Sequence, residues 1–243
     1  MTERNATELL QDGLRTAFID RTCHSNLAYR PQFIYNDSRK GQKVFSTLED
    51  ELLHSDSFAI SVAFITRGGI TPLLQTLKEL ERRGVPGRIL TTDYLNFSDP
   101  SALDTLTGLS NIELRMYQTE HAGNGFHTKG YIFQKSGEYR FIIGSSNLTQ
   151  DALTRNMEWN TRLVSTEQGE MAGAVLDEFE PQLRNRTCFF RETNLYYGCS
   201  IYQTITVIPF HFPCFISPLL HGCLLLQLYM ESLKNHLSFS ELC

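Results

Sequence analysis

A histidine and a lysine separated by one residue, His127 and Lys129, are the residues of this chain whose types and spacing best suit chemistry. A β-strand alternates its faces, so these two side chains would project from the same side while Thr128 points away. A neutral imidazole can attack an electrophile near neutral pH, and a lysine ammonium can hold an anion beside it. The pair therefore predicts a nucleophile or proton donor next to a fixed positive charge.

A second polar group follows after a predicted hairpin. The apolar run 140–143 returns from a turn at 135–138 and leads into Gly-Ser-Ser-Asn, where Ser145 and Ser146 are candidate substrate-binding residues and Asn147 is a candidate catalytic residue. Hydroxyl and carboxamide groups can donate hydrogen bonds to the nonbridging oxygens of a phosphate. Two strand ends would thus converge on one pocket suited to phosphodiester cleavage without a metal or cofactor.

Glu158 completes the candidate catalytic set. A carboxylate bonded to the second ring nitrogen of His127 would fix its tautomer and stabilise the positive charge that develops during attack. Each residue also has a structural explanation. Asn147 or Thr149 could cap a short helix at 151–153, and Glu158 could be a solvated strand carboxylate. The combination of all these residues favours a catalytic site.

At these positions the sequence resembles the phospholipase D superfamily, whose HKD-type signature is H-x-K followed by G-S/G-x-N. The family often places an aspartate five residues after the lysine, where this chain has Gln134, and the predicted hairpin is longer than usual. The wider stretch 9–183 also resembles the nuclease-like domain at the N-terminus of certain bacterial superfamily 2 helicases. The resemblance implies a phospholipase D-like fold, DNA as substrate and a helicase module encoded downstream as a possible partner.

The resemblance further implies a covalent mechanism in which one histidine forms a phosphohistidine and a second protonates the leaving group. That mechanism needs two motifs, and this chain has a single H-x-K. A two-fold homodimer that places His127 of each subunit across one shared phosphate would supply the second.

Hydrophobic periodicity predicts an α/β fold with a mixed β-sheet flanked by helices. The predicted helices cover 2–19, 43–53, 70–83, 101–106, 151–153 and 168–183, and the predicted strands cover 58–65, 87–91, 112–117, 127–134, 140–143 and 157–164.

Tyr94 and Phe97, in the loop after the strand 87–91, could stack on a base. Lys135, Arg140, Arg155 and Arg162 could follow a phosphate backbone, although scattered surface charges would explain them equally well.

The chain changes character near position 186, which predicts a nuclease domain at 1–186 and an atypical tail at 187–243. Five of the six cysteines lie in the tail, and no Asp, Glu, Lys or Arg occurs between Glu192 and Glu231. Three prolines in its apolar part make a membrane span a poor explanation, so no membrane partner is expected. Out-of-frame or truncated coding is the preferred explanation of the tail.

The N-terminal sequence is polar and has no signal-peptide core, and Cys23 is the one cysteine before the tail. These features predict a cytoplasmic domain. The net charge of −5 disfavours a protein that coats nucleic acid nonspecifically.

Three functions remain open: a DNA endonuclease or phosphodiesterase, a phospholipid hydrolase, and a non-catalytic nucleic-acid-binding or dimerisation module.

Overall fold

The computed structural model describes residues 5–19, 26–94, 97–119, 124–184 and 187–189. The strands are β1 (Gln32–Ile34), β2 (Ser57–Val62), β3 (Gly87–Thr92), β4 (Ile112–Tyr117), β5 (Lys129–Lys135), β6 (Glu138–Gly144), β7 (Asn160–Thr166) and β8 (Thr187–Phe189). The helices are α1 (Ala6–Ile19), α2 (Val44–His54), α3 (Arg67–Ile70), α4 (Leu74–Arg82), α5 (Pro100–Thr107), α6 (Gln150–Thr154) and α7 (Glu170–Arg184). A 3-10 turn at Thr71–Leu73 joins α3 to α4.

All eight strands form one mixed sheet in the order β1-β7-β6-β5-β2-β3-β4-β8. The pairs β2/β3 and β3/β4 are parallel, and every other neighbouring pair is antiparallel. The α/β class with a mixed sheet flanked by helices is therefore confirmed. This topology brings the ends of β2, β3 and β6 and the beginnings of β5 and β7 to the same end of the sheet.

The sheet is buried on both faces. On one face Ile60, Tyr131 and Ile142 pack with a cluster that includes Leu48 of α2 and Leu103 of α5. On the other face a smaller cluster contains residues of α7. Its buried members are Ala59, Leu90, Tyr117, Phe126, Ile132, Phe141, Ala172, Phe179 and Leu183. Burial on both sides explains why β2, β5 and β6 read as nearly continuous apolar runs.

The hairpin between β5 and β6 closes with a two-residue turn. Ser136 has φ 49° and Gly137 has φ 81°, and Lys135 pairs with Glu138 on either side of them. Positive φ at both central positions defines a type I′ turn, which matches the twist of the flanking strands. The predicted turn at 135–138 is confirmed, and the long hairpin consists of two seven-residue strands with a tight turn.

The structure departs from the prediction at the two edges of the sheet. The short strands β1 and β8 were not predicted, and β8 pairs with β4, which extends the sheet three residues past the predicted boundary at 186. The remainder of the predicted tail, 190–243, lies outside the described residues. Along the described ranges, no helix is both long and apolar enough to cross a membrane.

A buried ion-pair network holds α2 against β6 and β7. Glu51 is 4% exposed and accepts a hydrogen bond from Arg162 Nε at 2.5 Å, and its other oxygen lies 3.6 Å from Arg140 Nη1. Arg140 also lies 3.7 Å from Glu138, and Arg162 donates to the carbonyl of Ala28 at 3.2 Å. Both arginines are therefore paired with carboxylates inside the fold, so neither interpretation left open for them, a cation that follows a phosphate backbone or a scattered surface charge, describes their position.

Replacement of Glu51 by alanine should destabilise the protein by about 3–5 kcal/mol, because it leaves a buried guanidinium without its carboxylate. The neighbouring Asp50→Ala should cost less than about 1 kcal/mol, because that side chain is 70% exposed and pairs with His54 at the surface. Urea unfolding of both variants measures the difference. Equal midpoints for the two variants would contradict the importance of the network.

Candidate active site

The two faces of the sheet separate Lys129 from Thr128 at the beginning of β5. Lys129 pairs with Val62 of β2, whose side chain is fully buried in the larger core. The Thr128 hydroxyl lies 2.6 Å from Ser61 Oγ on the opposite face. His127 lies two residues before β5, outside the strand that was predicted to include it, and is exposed. Strand pairing therefore places Lys129 at the end of the sheet, and the exposed histidine lies just beyond it in the chain.

The electrostatic surroundings of His127 favour its neutral form. Its ring contacts Phe64 edge-on, with centroids 6.0 Å apart. Partial burial lowers the pKa of His127, and the positive charge of Lys129 lowers it further. Because both effects disfavour the imidazolium ion, the ring is available as a neutral nucleophile at neutral pH.

Lys129 is half-buried, and its Nζ donates to the carbonyl oxygen of His127 at 2.9 Å. Burial lowers the pKa of Lys129, and the negative charge of Glu158 opposes that shift. Glu158 thus helps to keep the ammonium charged in a partly desolvated position. A charged ammonium beside His127 suits the binding of a phosphate oxygen.

Glu158 itself is 9% exposed and accepts a hydrogen bond from the Ser145 hydroxyl. Ser145 is fixed twice more, because its N–H donates to the Trp159 carbonyl and its Oγ accepts from the Trp159 N–H, both at 3.1 Å. The predicted bond from Glu158 to the His127 ring is not among the hydrogen bonds of the described residues. Glu158 instead contacts Ser145 and acts through its charge on Lys129 and Tyr131.

Asn147 and Ser146 differ in their access to a substrate. Asn147 is half-buried, and its Oδ1 accepts from the Phe64 N–H at 3.2 Å, so its amide NH₂ is the end that can donate to a phosphate. Ser146 is fully buried, and its Oγ accepts from Asn160 Nδ2 at 2.9 Å. Ser146 therefore stabilises the loop from the protein interior. The prediction that its side chain contacts the substrate is wrong, because that side chain is buried.

Gly144 allows β6 and β7 to approach each other at the site. A Cβ at this position would lie 2.2 Å from the Trp159 carbonyl oxygen and 2.6 Å from Asn160 Cα. Both distances are far below a van der Waals contact, so a larger residue would push the strands apart. The glycine of the motif is required by this packing.

Sequence reasoning missed Asn160 and Tyr131 as supports of the site. Asn160 is 2% exposed, accepts from the Ser146 N–H at 3.3 Å and donates to Ser146 Oγ. The Tyr131 hydroxyl donates to the Ser146 carbonyl at 3.0 Å, and burial together with the charge of Glu158 raises the pKa of that phenol. The inward position of Asn160 in the alternating pattern of β7 was the signal that could have identified it.

The cap of α6, left open by the sequence between Asn147 and Thr149, is decided by a hydrogen bond. Thr149 accepts from the Ala152 N–H and caps α6. Asp93 accepts from the N–H and hydroxyl of Thr119 at 3.0 and 2.9 Å, so its carboxylate fixes a turn beside the site.

The sequence profile described as "Cardiolipin synthase, PLD-like domain" matches residues 50–182, which is more than half of the chain. The chain belongs to the phospholipase D-like family. Membership in this family supports hydrolysis of a phosphodiester bond. No curated protein sequence matches the chain.

Two solved structures share the phospholipase D-like fold of this chain. NucT from Helicobacter pylori has a TM-score of 0.52 and 15% identity. Nuc from Salmonella typhimurium, a phospholipase D family member, has a TM-score of 0.51 and 19% identity. Each similarity covers 66% of this chain and 98% of the other. At such low identities these similarities establish the fold alone.

Gln134 occupies the position where the phospholipase D-like motif often has an aspartate. Its Oε1 accepts from Ser57 Oγ at 2.9 Å, and its Nε2 lies 3.4 Å from Glu167. Five residues along a strand separate it from Lys129, a distance of about 17 Å. The departure from the motif therefore lies at the opposite end of β5 from His127 and removes no group from the site.

Replacement of Lys129 by glutamine should raise the pKa of His127, because it removes a neighbouring positive charge while the burial remains. The expected pKa stays below the ordinary histidine value. An NMR pH titration of the imidazole signals measures the change in pKa. The His127 signal is identified as the one that is missing from the spectrum of His127→Ala. Lys135→Gln, at the other end of β5, is the control and should leave the titration unaltered. An unchanged or lower pKa in Lys129→Gln would contradict the electrostatic coupling.

Proposed function

We propose that the chain is a metal-independent phosphodiesterase, an endonuclease that cleaves DNA through a phosphohistidine intermediate in a site shared by two subunits. The observation that supports this most directly is the position of His127, exposed beside Lys129 at the end of the sheet with its pKa lowered. The amide NH₂ of Asn147 adds a further donor at the same edge, and Ser145 holds Glu158 there. The protein thereby supplies both a nucleophile and positive charge for a phosphate.

The first chemical step is attack of the neutral imidazole of His127 on phosphorus. A P–N bond forms, the bond to the leaving oxygen breaks, and the imidazolium of the second subunit's His127 donates its proton to that oxygen. The Lys129 ammonium and the Asn147 amide donate to the nonbridging oxygens while charge develops there. Donors already fixed by the fold need little rearrangement during this step.

The second step hydrolyses the intermediate. The second histidine, now neutral, accepts a proton from water as the water oxygen attacks phosphorus and the P–N bond breaks. His127 leaves with the electron pair of that bond and both residues return to their starting protonation states. Glu158 keeps Lys129 charged throughout, which makes it a positioning residue in this mechanism.

A shared site follows from the single motif. Each chain carries one H-x-K, and the two-step mechanism needs two histidines. A two-fold homodimer with the site ends of both sheets facing each other would place the two exposed His127 rings on opposite sides of one phosphate. DNA is the proposed substrate and a helicase module a proposed partner, in line with the helicase-linked sequences that stretch 9–183 resembles.

His127→Ala should reduce DNA cleavage in EDTA on the order of 10⁵-fold, the scale on which loss of a covalent nucleophile lowers kcat. His54→Ala is a matched control, because that histidine is exposed on α2 and bonds the carbonyl of Asp50. Gel analysis of end-labelled DNA measures both. Equal cleavage by the two variants would contradict the catalytic assignment. DNA binding without cleavage by wild type would favour a non-catalytic module, and turnover of phosphatidylcholine vesicles alone would favour a lipid hydrolase.

Mixing wild-type chains with His127→Ala chains tests the shared site. After exchange of subunits at equal amounts, about one quarter of the dimers contain two wild-type histidines, so activity should fall to about one quarter at constant total protein. Independent sites would retain about one half. Sedimentation of wild type as monomer alone, with full activity, would also contradict the shared mechanism.

A further inference from the structure

A row of three aromatic rings begins next to Glu158 in the chain and runs to β1 at the edge of the sheet, and two of its rings, Trp159 and Phe33, are exposed. Trp159 follows Glu158 and is 70% exposed, although buried apolar contacts are the usual environment of a tryptophan. Its ring contacts Phe33 of β1 edge-on at 5.7 Å, and Phe33 contacts Tyr35 at 5.4 Å. We call Trp159, Phe33 and Tyr35 the aromatic row.

The aromatic row is held in a fixed relation to the catalytic residues. The Trp159 backbone donates to and accepts from Ser145, whose hydroxyl bonds Glu158. Phe33 sits in β1 and pairs with Thr161 of β7. Phe33 is therefore displayed from a paired strand, on the face of the sheet opposite Lys129, while Tyr35 directly follows β1 and Trp159 directly precedes β7. The indole lies one residue from a carboxylate of the site.

Positive charge lies at the outer end of the aromatic row. Lys40 Nζ is 5.8 Å from the centroid of the Tyr35 ring and donates to its hydroxyl at 3.2 Å. Lys40 and Arg39 are both largely exposed and share Asp37 as an ionic partner at 3.8 and 3.9 Å. Two cations against one carboxylate leave this end net positive, as a phosphate backbone would require.

A second pair of rings, Phe97 and Phe64, lies beside His127. Phe97 is 57% exposed and contacts Phe64 edge-on at 5.1 Å, and Phe64 contacts the His127 ring. Aromatic side chains thus lie beside the nucleophile as well as next to Glu158. Exposed rings together with cations are the composition of surfaces that bind single-stranded nucleic acid.

We infer that the aromatic row stacks against unpaired bases beside the scissile phosphate, so that the site selects single-stranded nucleic acid. This inference rests on the proposed function and names the form of its substrate. Bases in a duplex are stacked on each other and present edges in the grooves, so their faces reach a ring only after unpairing. A flat indole contacts any of the four bases, so the selection is for strand form and not for sequence.

The composition of this surface favours bases over a second copy of the chain as its occupant. The surface consists mainly of aromatic rings, with cations at its outer end. An interface between copies would be expected to centre instead on the most exposed apolar side chain nearby, Met157, which is 93% exposed. Met157 lies two residues from Trp159 and carries no ring. It provides a matched control that separates stacking from simple apolar contact.

Trp159 is the only tryptophan in the chain, so intrinsic fluorescence reports its surroundings without a label. His127→Ala, which would not consume the probe, is titrated with a thymidine oligomer of about 12 nucleotides, an abasic oligomer of equal length, and a duplex. The thymidine oligomer should quench the fluorescence, and the other two should leave it nearly unchanged. Affinity should be on the order of tenfold higher for the thymidine oligomer than for the abasic one.

Variants made in the His127→Ala background, followed by anisotropy of labelled oligomers, identify the ring responsible. Trp159→Leu should remove the preference for the base-bearing oligomer, Trp159→Phe should restore most of it, and Met157→Ala should leave it intact. Loss of dimers in Trp159→Leu with the preference unchanged would overturn the inference and assign the surface to a second copy.

The nuclease proposal and the base-stacking inference can be contradicted independently of each other. Wild type that cuts DNA but shows no quenching in the inactive variant overturns base stacking and leaves the proposed function standing. Quenching by the thymidine oligomer, together with no cleavage by wild type, supports stacking and overturns the nuclease proposal.

Discussion

The close approach of β6 to β7 at Gly144 is the constraint on which the site depends. Because no side chain separates the strands there, the Ser145 N–H reaches the Trp159 carbonyl and Asn160 reaches Ser146. These bonds fix the loop that carries Asn147, whose oxygen is tied in turn to the Phe64 N–H. The donors for a phosphate are therefore set by backbone pairing, and they require little ordering when a ligand arrives.

Charged residues serve two different purposes in this fold. Around Glu51, arginines and carboxylates are buried and paired with one another, so they join α2 to the sheet. Around His127, the lysine is partly desolvated and its carboxylate neighbour is occupied by Ser145, which leaves positive charge facing outward. The difference lies in whether each cation faces an anion within the protein or an open edge of the sheet.

Much of the fold followed from local sequence, because the long strands and helices carry apolar periodicity of their own. The edge strands β1 and β8 have three residues each, and they form because a neighbouring strand offers hydrogen bonds, which no local pattern records. Spacing brought His127, Lys129 and Asn147 together in the prediction. The burial of Ser146 and the partner of Glu158 depended on Asn160 and Ser145, residues 13 or 14 positions away in the chain.

The shortness of β1 also bears on solubility. An edge strand that displays a phenylalanine would ordinarily invite a strand from another molecule to pair with it and begin aggregation. Here β1 offers three residues, and Pro31 precedes it without a backbone N–H to donate. A foreign strand would find too few hydrogen bonds for stable addition. The protein can thus expose Phe33 at an open edge and still resist fibril growth from it.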